Sequence, residues 1–148
     1  MAVFRHAKDD EAGALRDLER AANLEALGDV FPPERYPFPD DAVLARWAIV
    51  LADPEVTTLV AEDEAGLTAF VAYDAGTLRH LAVRPDRWGT GLASCALRET
   101  DARSLWCLEE NGHARAVYEH LGWRATEDRK EAAWPPYPVE MRYQRAVR

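Results

Sequence analysis

The stretch that most restricts the fold is TLRHLAVRPDRWGTGLASCALRETDARSLWCL, residues 77–108, where a strand runs through a glycine-bearing loop into a helix and on into a second strand. A crossover of this length with its own helix sets its two strands side by side and parallel, in the right-handed sense. Ligands in sheets of this kind sit beyond the carboxyl ends of the paired strands. That rule brings the loop 85–91 and the turn around Asn111 to one edge.

The rest of the chain builds around this unit. Residues 3–6 read as a short strand. From Asp9 or Asp10, the residues Ala14, Leu15, Leu18, Ala21, Ala22 and Leu24 recur at helical spacing, with acids in the first turn where the helix dipole favours them. The segment VFPPERYPFPD holds four prolines and forms a stiff connection to a second helix, capped near Asp40 and carrying Val43, Leu44, Trp47 and Leu51. Past residue 57 come the strands TTLVAE, LTAFVAYD and TLRHLAV, joined by acid/Gly turns short enough for antiparallel hairpins. LASCALRETDA reads as a helix and SLWCL as a strand. Asn111 then caps a helix over 113–121 that stops at Gly122, and WRATEDRK and VEMRYQR are two last strands. The expectation is an α/β (α+β) chain, a mixed and mostly antiparallel sheet with one parallel pair and about four helices, forming a single domain over 1–148.

Composition agrees with one packed core. At 148 residues, with 48% apolar and 30% charged, the chain is long enough to bury about 70% of its unfolded surface without disulfides. Eighteen Lys and Arg against twenty-six Asp and Glu leave a net charge of −8. Nucleic acid and anionic membranes are therefore not expected partners, since phosphate contacts need clustered cations. Cys95 and Cys107 lie in no metal-ligand spacing, so no metal is expected. With no leader pattern and no apolar run of about 18 residues, a cytoplasmic location is expected.

Gly89 and Gly91 remove the Cβ atoms that would keep a phosphate from the backbone N–H groups at a helix start. A nucleotide-hydrolysing loop would need Gly-Lys-Ser/Thr, and no lysine follows. The dinucleotide pattern GxGxxG is closer, with Glu109 about 20 residues on, but Ser94 replaces its third glycine and only one strand–helix–strand unit exists.

A third reading rests on resemblance. VRPDRWGTGLASCAL resembles the coenzyme A loop of the GNAT acetyltransferase superfamily, V-x-P followed by [Q/R]-x-x-G-x-[G/A]. Val83 and Pro85 match the lead-in and Gly91 and Ala93 the small positions, while Trp88 stands where Gln or Arg is commonest. LWCLEENGHARAVYEHLGWR resembles the strand–Asn–helix unit of the same family, through Asn111, Ala114, Arg115, Ala116, Tyr118, Leu121, Gly122 and Trp123. The resemblance implies that the parallel strands splay apart, that the main chain of Leu81, Ala82 and Val83 pairs with the pantetheine arm, and that the pyrophosphate rests on Arg87, Trp88, Gly89, Thr90, Gly91, Leu92 and Ala93. It also brings Asn111, Ala114 and Tyr118 to the coenzyme, with Tyr118 as general acid.

The implied reaction is transfer of an acetyl group from acetyl-CoA to a primary amine, on a small molecule or a peptide N-terminus, by direct attack. An alternative is a catalytically degenerate module that binds acyl-CoA to regulate. A lysine-like amine of pKa about 10.4 is neutral only about once per thousand molecules at pH 7.4, whereas an α-amino group near 7.7–8.0 is largely ready to attack. The base for the first would be His80, Asp74 or water. Simpler readings stand beside these: Tyr118 as a core tyrosine, Asn111 as an N-cap, His80 as a structural histidine facing away from Arg79. Glu109 and Glu110 abut the expected cleft, and Trp134 and Tyr137 of the loop WPPYP shape an acceptor pocket in the resemblance. A homodimer is among the open oligomeric states.

Overall fold

Continuous apolar runs in the middle of the chain, residues 59–61 and 69–72, form the centre of a sheet buried on both faces. A computed structural model describes residues 2–146; Met1, Val147 and Arg148, the ends of the expected 1–148 domain, lie outside the described residues. In chain order the elements are β1 (Arg5–His6), α1 (Ala12–Leu27), α2 (Asp40–Ala52), β2 (Thr57–Asp63), β3 (Gly66–Tyr73), β4 (Thr77–Val83), α3 (Leu92–Arg98), β5 (Ser104–Leu108), α4 (Gly112–His120), β6 (Arg124–Glu131) and β7 (Val139–Gln144). They form one seven-stranded sheet of order β1-β2-β3-β4-β5-β7-β6. All neighbours are antiparallel except β4 and β5.

Helices cover both faces. On one, Leu15 and Leu18 of α1 and Val43, Trp47 and Val50 of α2 pack on Val60, Phe70 and Ala72. On the other, Ala96 and Leu97 of α3 and Tyr118 of α4 pack on Val71, Leu78, Leu105 and Tyr143. Placing β7 between β5 and β6 gives its Met141 and Tyr143 two paired strands and a covered face, and both are buried.

Several boundaries differ from the sequence reading. β1 holds only the two residues that pair with Leu59 and Val60 of β2. Asp40 is the first residue of α2 rather than its cap, and its carboxylate accepts from Arg20, which ties α2 to α1. α3 stops at Arg98, short of Ala102, because the Arg145 guanidinium reaches in to the carbonyls of Leu97, Thr100 and Ala102 and satisfies acceptors that a longer helix would have used. In β4 the ladder with β3 passes from His80 opposite Ala72 to Leu78 opposite Tyr73, so Arg79 is bulged out. As a result Leu78 and Leu81 share the α3/α4 face, while His80 and Ala82 take the α1/α2 face.

Candidate functional site

The parallel pair is joined at only two positions, Thr77 with Ser104 and Leu78 with Leu105, after which β4 and β5 part. Because the Arg84 N–H donates to Thr68 across the β3 side at 2.8 Å, ladder parity turns the backbone groups of Leu81 and Val83 the other way, toward the gap. The gap is a cavity of about 200 Å³ whose walls include Leu81 and Ala82 of β4, Cys107 and Leu108 of β5, and Asn111, Ala114 and Tyr118. One of the turned-out groups already has a partner: the Trp88 indole N–H donates to the Val83 carbonyl at 2.8 Å.

Beyond β4, residues 85–87 make a 3-10 turn and the chain enters α3 through two left-handed glycines, Gly89 at φ +79° and Gly91 at φ +84°. A side chain is disfavoured there by conformation alone, since a Cβ at either position would meet nothing within 4 Å. The first N–H groups of the helix, at Leu92 and Ala93, have no intrahelical acceptor. Thr90 donates its hydroxyl to the Arg87 carbonyl and braces the loop. Arg87, a phosphate candidate on sequence grounds, pairs with Asp63 of the β2–β3 hairpin, which also takes a 2.6 Å bond from Arg84. The Arg84 guanidinium holds the Asp63 carboxyl well below the usual carboxylate range.

Asn111 opens α4, its side-chain oxygen accepting from the Ala114 N–H at 3.1 Å while the residue also lines the gap. Tyr118 is buried in the second turn of α4 against the sheet, its ring 6.0 Å from those of Trp123 and Tyr143. Its hydroxyl forms no hydrogen bond among the described residues, and burial pushes its pKa upward, so the proton stays on. Burial pushes the Cys107 thiol up to about 12. A thiol so seldom ionised is a poor nucleophile.

His80 lines the gap from the α1/α2 side, its ring centroid 5.1 Å from that of Trp47. Burial, reinforced by the nearby Arg46 and Arg79 charges, brings its pKa down to about 3. The imidazole is neutral but a weak base. Asp74 is committed elsewhere: it accepts from the Gly76 and Thr77 N–H groups and from Arg79, at the closed end of the β4–β5 pair. Glu109 lies on Arg129 at 3.1 Å, and neither it nor Glu110 lines the gap.

The carboxylates that do line it are Glu19 and Glu140, which sequence reasoning missed, together with Asn23. Glu140 stands opposite Leu108 on β7, and burial raises its pKa against the opposing pull of Lys130. Glu19 accepts from Arg46 and, at 2.9 Å, from the Trp47 indole. A signal existed: Leu15, Glu19, Asn23 and Leu27 are spaced by four, so the polar pair continues the ridge that the buried leucines begin. Among the described residues no helix is long and apolar enough to cross a membrane.

Comparison with known proteins bears on this geometry. Residues 15–123 match the model of the acetyltransferase (GNAT) family. The apo form of YjaB from Escherichia coli has the same fold, with TM-score 0.77 at 17% identity over 100% of this chain and 99% of that one. So does a GCN5-related N-acetyltransferase from Rhodopseudomonas palustris, with TM-score 0.78 at 15% identity over 99% and 96% of the two chains. The PaiA N-acetyltransferase from Thermoplasma acidophilum, solved in complex with coenzyme A, gives 0.69 at 12% identity over 97% and 99%. No curated protein sequence matches the chain significantly.

Proposed function

The chain belongs to the acetyltransferase (GNAT) family, and from that premise we propose that it transfers an acetyl group from acetyl-CoA to a primary amine by direct attack. The observation that carries the reading is the two-residue β4–β5 pairing, which leaves the turned-out backbone of Leu81 and Val83 without a neighbouring strand. An extended amide-bearing arm is the natural occupant of such an edge. The PaiA enzyme, an N-acetyltransferase of the same fold, was solved with coenzyme A.

The thioester supplies an activated acyl carbon. Leu81 and Val83 align the pantetheine amides, and the N–H groups of Gly91, Leu92 and Ala93 face the pyrophosphate, in a loop that Asp63 steadies through Arg84 and Arg87. Asn111 and Ala114 wall the arm where it reaches the reacting carbon. Tyr118 holds its proton until the carbon–sulfur bond breaks, then passes it to the departing thiolate. The amine's own proton, released through water, returns the tyrosine to its resting form. The products are an amide and a free thiol, so the proton count closes. His80, neutral and weakly basic, serves as a wall of the gap rather than as the base.

A thermal-shift comparison of acetyl-CoA, coenzyme A and NAD(P), followed by free-thiol release over a panel of amines, tests the proposal. Stabilisation by both coenzyme A forms and amine-dependent thiol release are expected. Stabilisation by NAD(P) alone would overturn it, and coenzyme binding with no release on any amine would leave only a binding module.

A further inference from the structure

We propose that the acceptor is a primary amine carrying a bulky apolar, aromatic-sized substituent, seated in a second cavity that opens from the acetyl-transfer gap along α1. The inference rests on the acetyltransferase reading above. The second cavity, about 310 Å³, is walled by Phe31, Pro33, Tyr36 and Phe38 from the proline-rich connection and by Trp134 and Pro135 from the β6–β7 loop. The proline-rich connection and the WPPYP loop thus converge on one chamber.

Glu19, Asn23 and Leu27 line both this chamber and the gap. The two spaces therefore meet along one face of α1, and an occupant can reach from one to the other. At the meeting point Glu19 offers polarity. Its Oε1 is taken by Arg46 and Trp47, whereas Oε2 has no partner among the described residues. The open oxygen is an acceptor for an ammonium or amine N–H. Beyond that throat the chamber is aromatic and proline-lined, with Arg35 its one positive side chain. A second positive charge on the acceptor would find no carboxylate there, and a small hydrophilic amine would leave the apolar wall uncovered. An aryl or indolyl group fits within a chamber of this size and matches its character.

The chemistry is shared by arylalkylamines and by peptides whose first residue is aromatic, and the test has an arm for each. Thiol release is measured with phenethylamine, tryptamine and phenylalaninamide against ethanolamine and spermidine. The aromatic amines are expected to show a KM at least ten-fold lower. Leu24 lines the chamber but not the gap, and its side chain is half exposed on α1, so Leu24→Arg places a cation in the chamber without disturbing a packed core. This variant should raise the KM for phenethylamine at least ten-fold while keeping the wild-type acetyl-CoA thermal shift, and Trp134→Ala should act in the same direction.

Fastest turnover on ethanolamine or spermidine, or an unchanged phenethylamine KM in both variants, would overturn the inference while leaving the acetyltransferase reading intact. Calorimetric titration of phenethylamine into coenzyme A-loaded protein gives a second readout independent of turnover. Wild-type binding that Leu24→Arg abolishes supports the chamber even if no amine releases thiol, and absence of wild-type binding refutes it.

Discussion

The indole of Trp88 lies flat against the imidazole of His113, ring centroids 3.8 Å apart and planes 19° from parallel. The stack joins the loop after β4 to the first turn of α4. Its indole N–H also occupies the Val83 carbonyl, one of the groups that a pantetheine amide would use. Trp88 is thus a competitor built into the chain.

Trp88→Phe keeps a ring on His113 and deletes the N–H. Freeing one hydrogen-bond acceptor, worth about 1 kcal/mol, should tighten acetyl-CoA binding roughly five-fold by calorimetry. Weaker binding would mean that the indole supports the loop instead of competing for its edge.

Tyr118→Phe should reduce turnover by about ten- to a thousandfold with little change in acetyl-CoA affinity, as expected for a proton donor. Since the hydroxyl makes no hydrogen bond among the described residues, the melting temperature should hardly move. Wild-type turnover with an altered melting temperature would return the residue to a purely packing role.

Gly91→Glu should remove the acetyl-CoA thermal shift. A Cβ at this position meets nothing within 4 Å beyond its chain neighbours, so the main cost to the fold is the left-handed backbone, about 1–2 kcal/mol. The carboxylate would then stand where the proposed mechanism puts the pyrophosphate. An unchanged dissociation constant would take the loop out of the mechanism.

Stability should fall on mild acidification through His80. Its pKa in the folded chain is depressed from the ordinary value to about 3, so the unfolded chain binds the proton first as pH drops. The contribution is complete above about pH 6.5 and is lost toward pH 3, at up to ~1.4 kcal/mol per pH unit. His113, lowered by burial, acts in the same sense, and Glu140, raised by burial, in the opposite one. Between pH 6.5 and 5, before Glu11 with its pKa near 2 begins to matter, urea unfolding of His80→Gln should show a shallower slope than wild type. Equal slopes would place the acid sensitivity elsewhere.

The strand–loop–helix–strand unit was legible because each of its signals is local. Short apolar strand segments, paired glycines at a helix start and, just beyond the unit, a capping Asn111 need no knowledge of distant segments. The bulge at Arg79 showed only as the adjacent polar pair Arg79 and His80, which breaks period two in TLRHLAV, and it is the register against β3 that expels Arg79. Glu140 and Glu19 became site residues through tertiary approach: one by β7 lying beside β5, the other by α1 crossing the gap. Glu109 and Glu110, adjacent in sequence to Asn111, turned aside because Arg129 draws Glu109 to the sheet's outer edge.

The two-rung seam between β4 and β5 has a consequence for turnover of the protein itself. Backbone cooperativity runs through β1–β4 and through β5–β7–β6 but crosses between them at only two residue pairs. Amide hydrogens of Leu81 and Val83 should exchange with solvent early in the ligand-free chain and late once an extended arm is laid beside them. Occupancy adds RT ln(1 + [L]/Kd), about 2.7 kcal/mol at a hundredfold excess over Kd, and much of that gain falls on this seam. On the proposed reading, the level of the acyl donor should then set protease resistance as well as rate, and the ligand-free chain should be the one cleaved first.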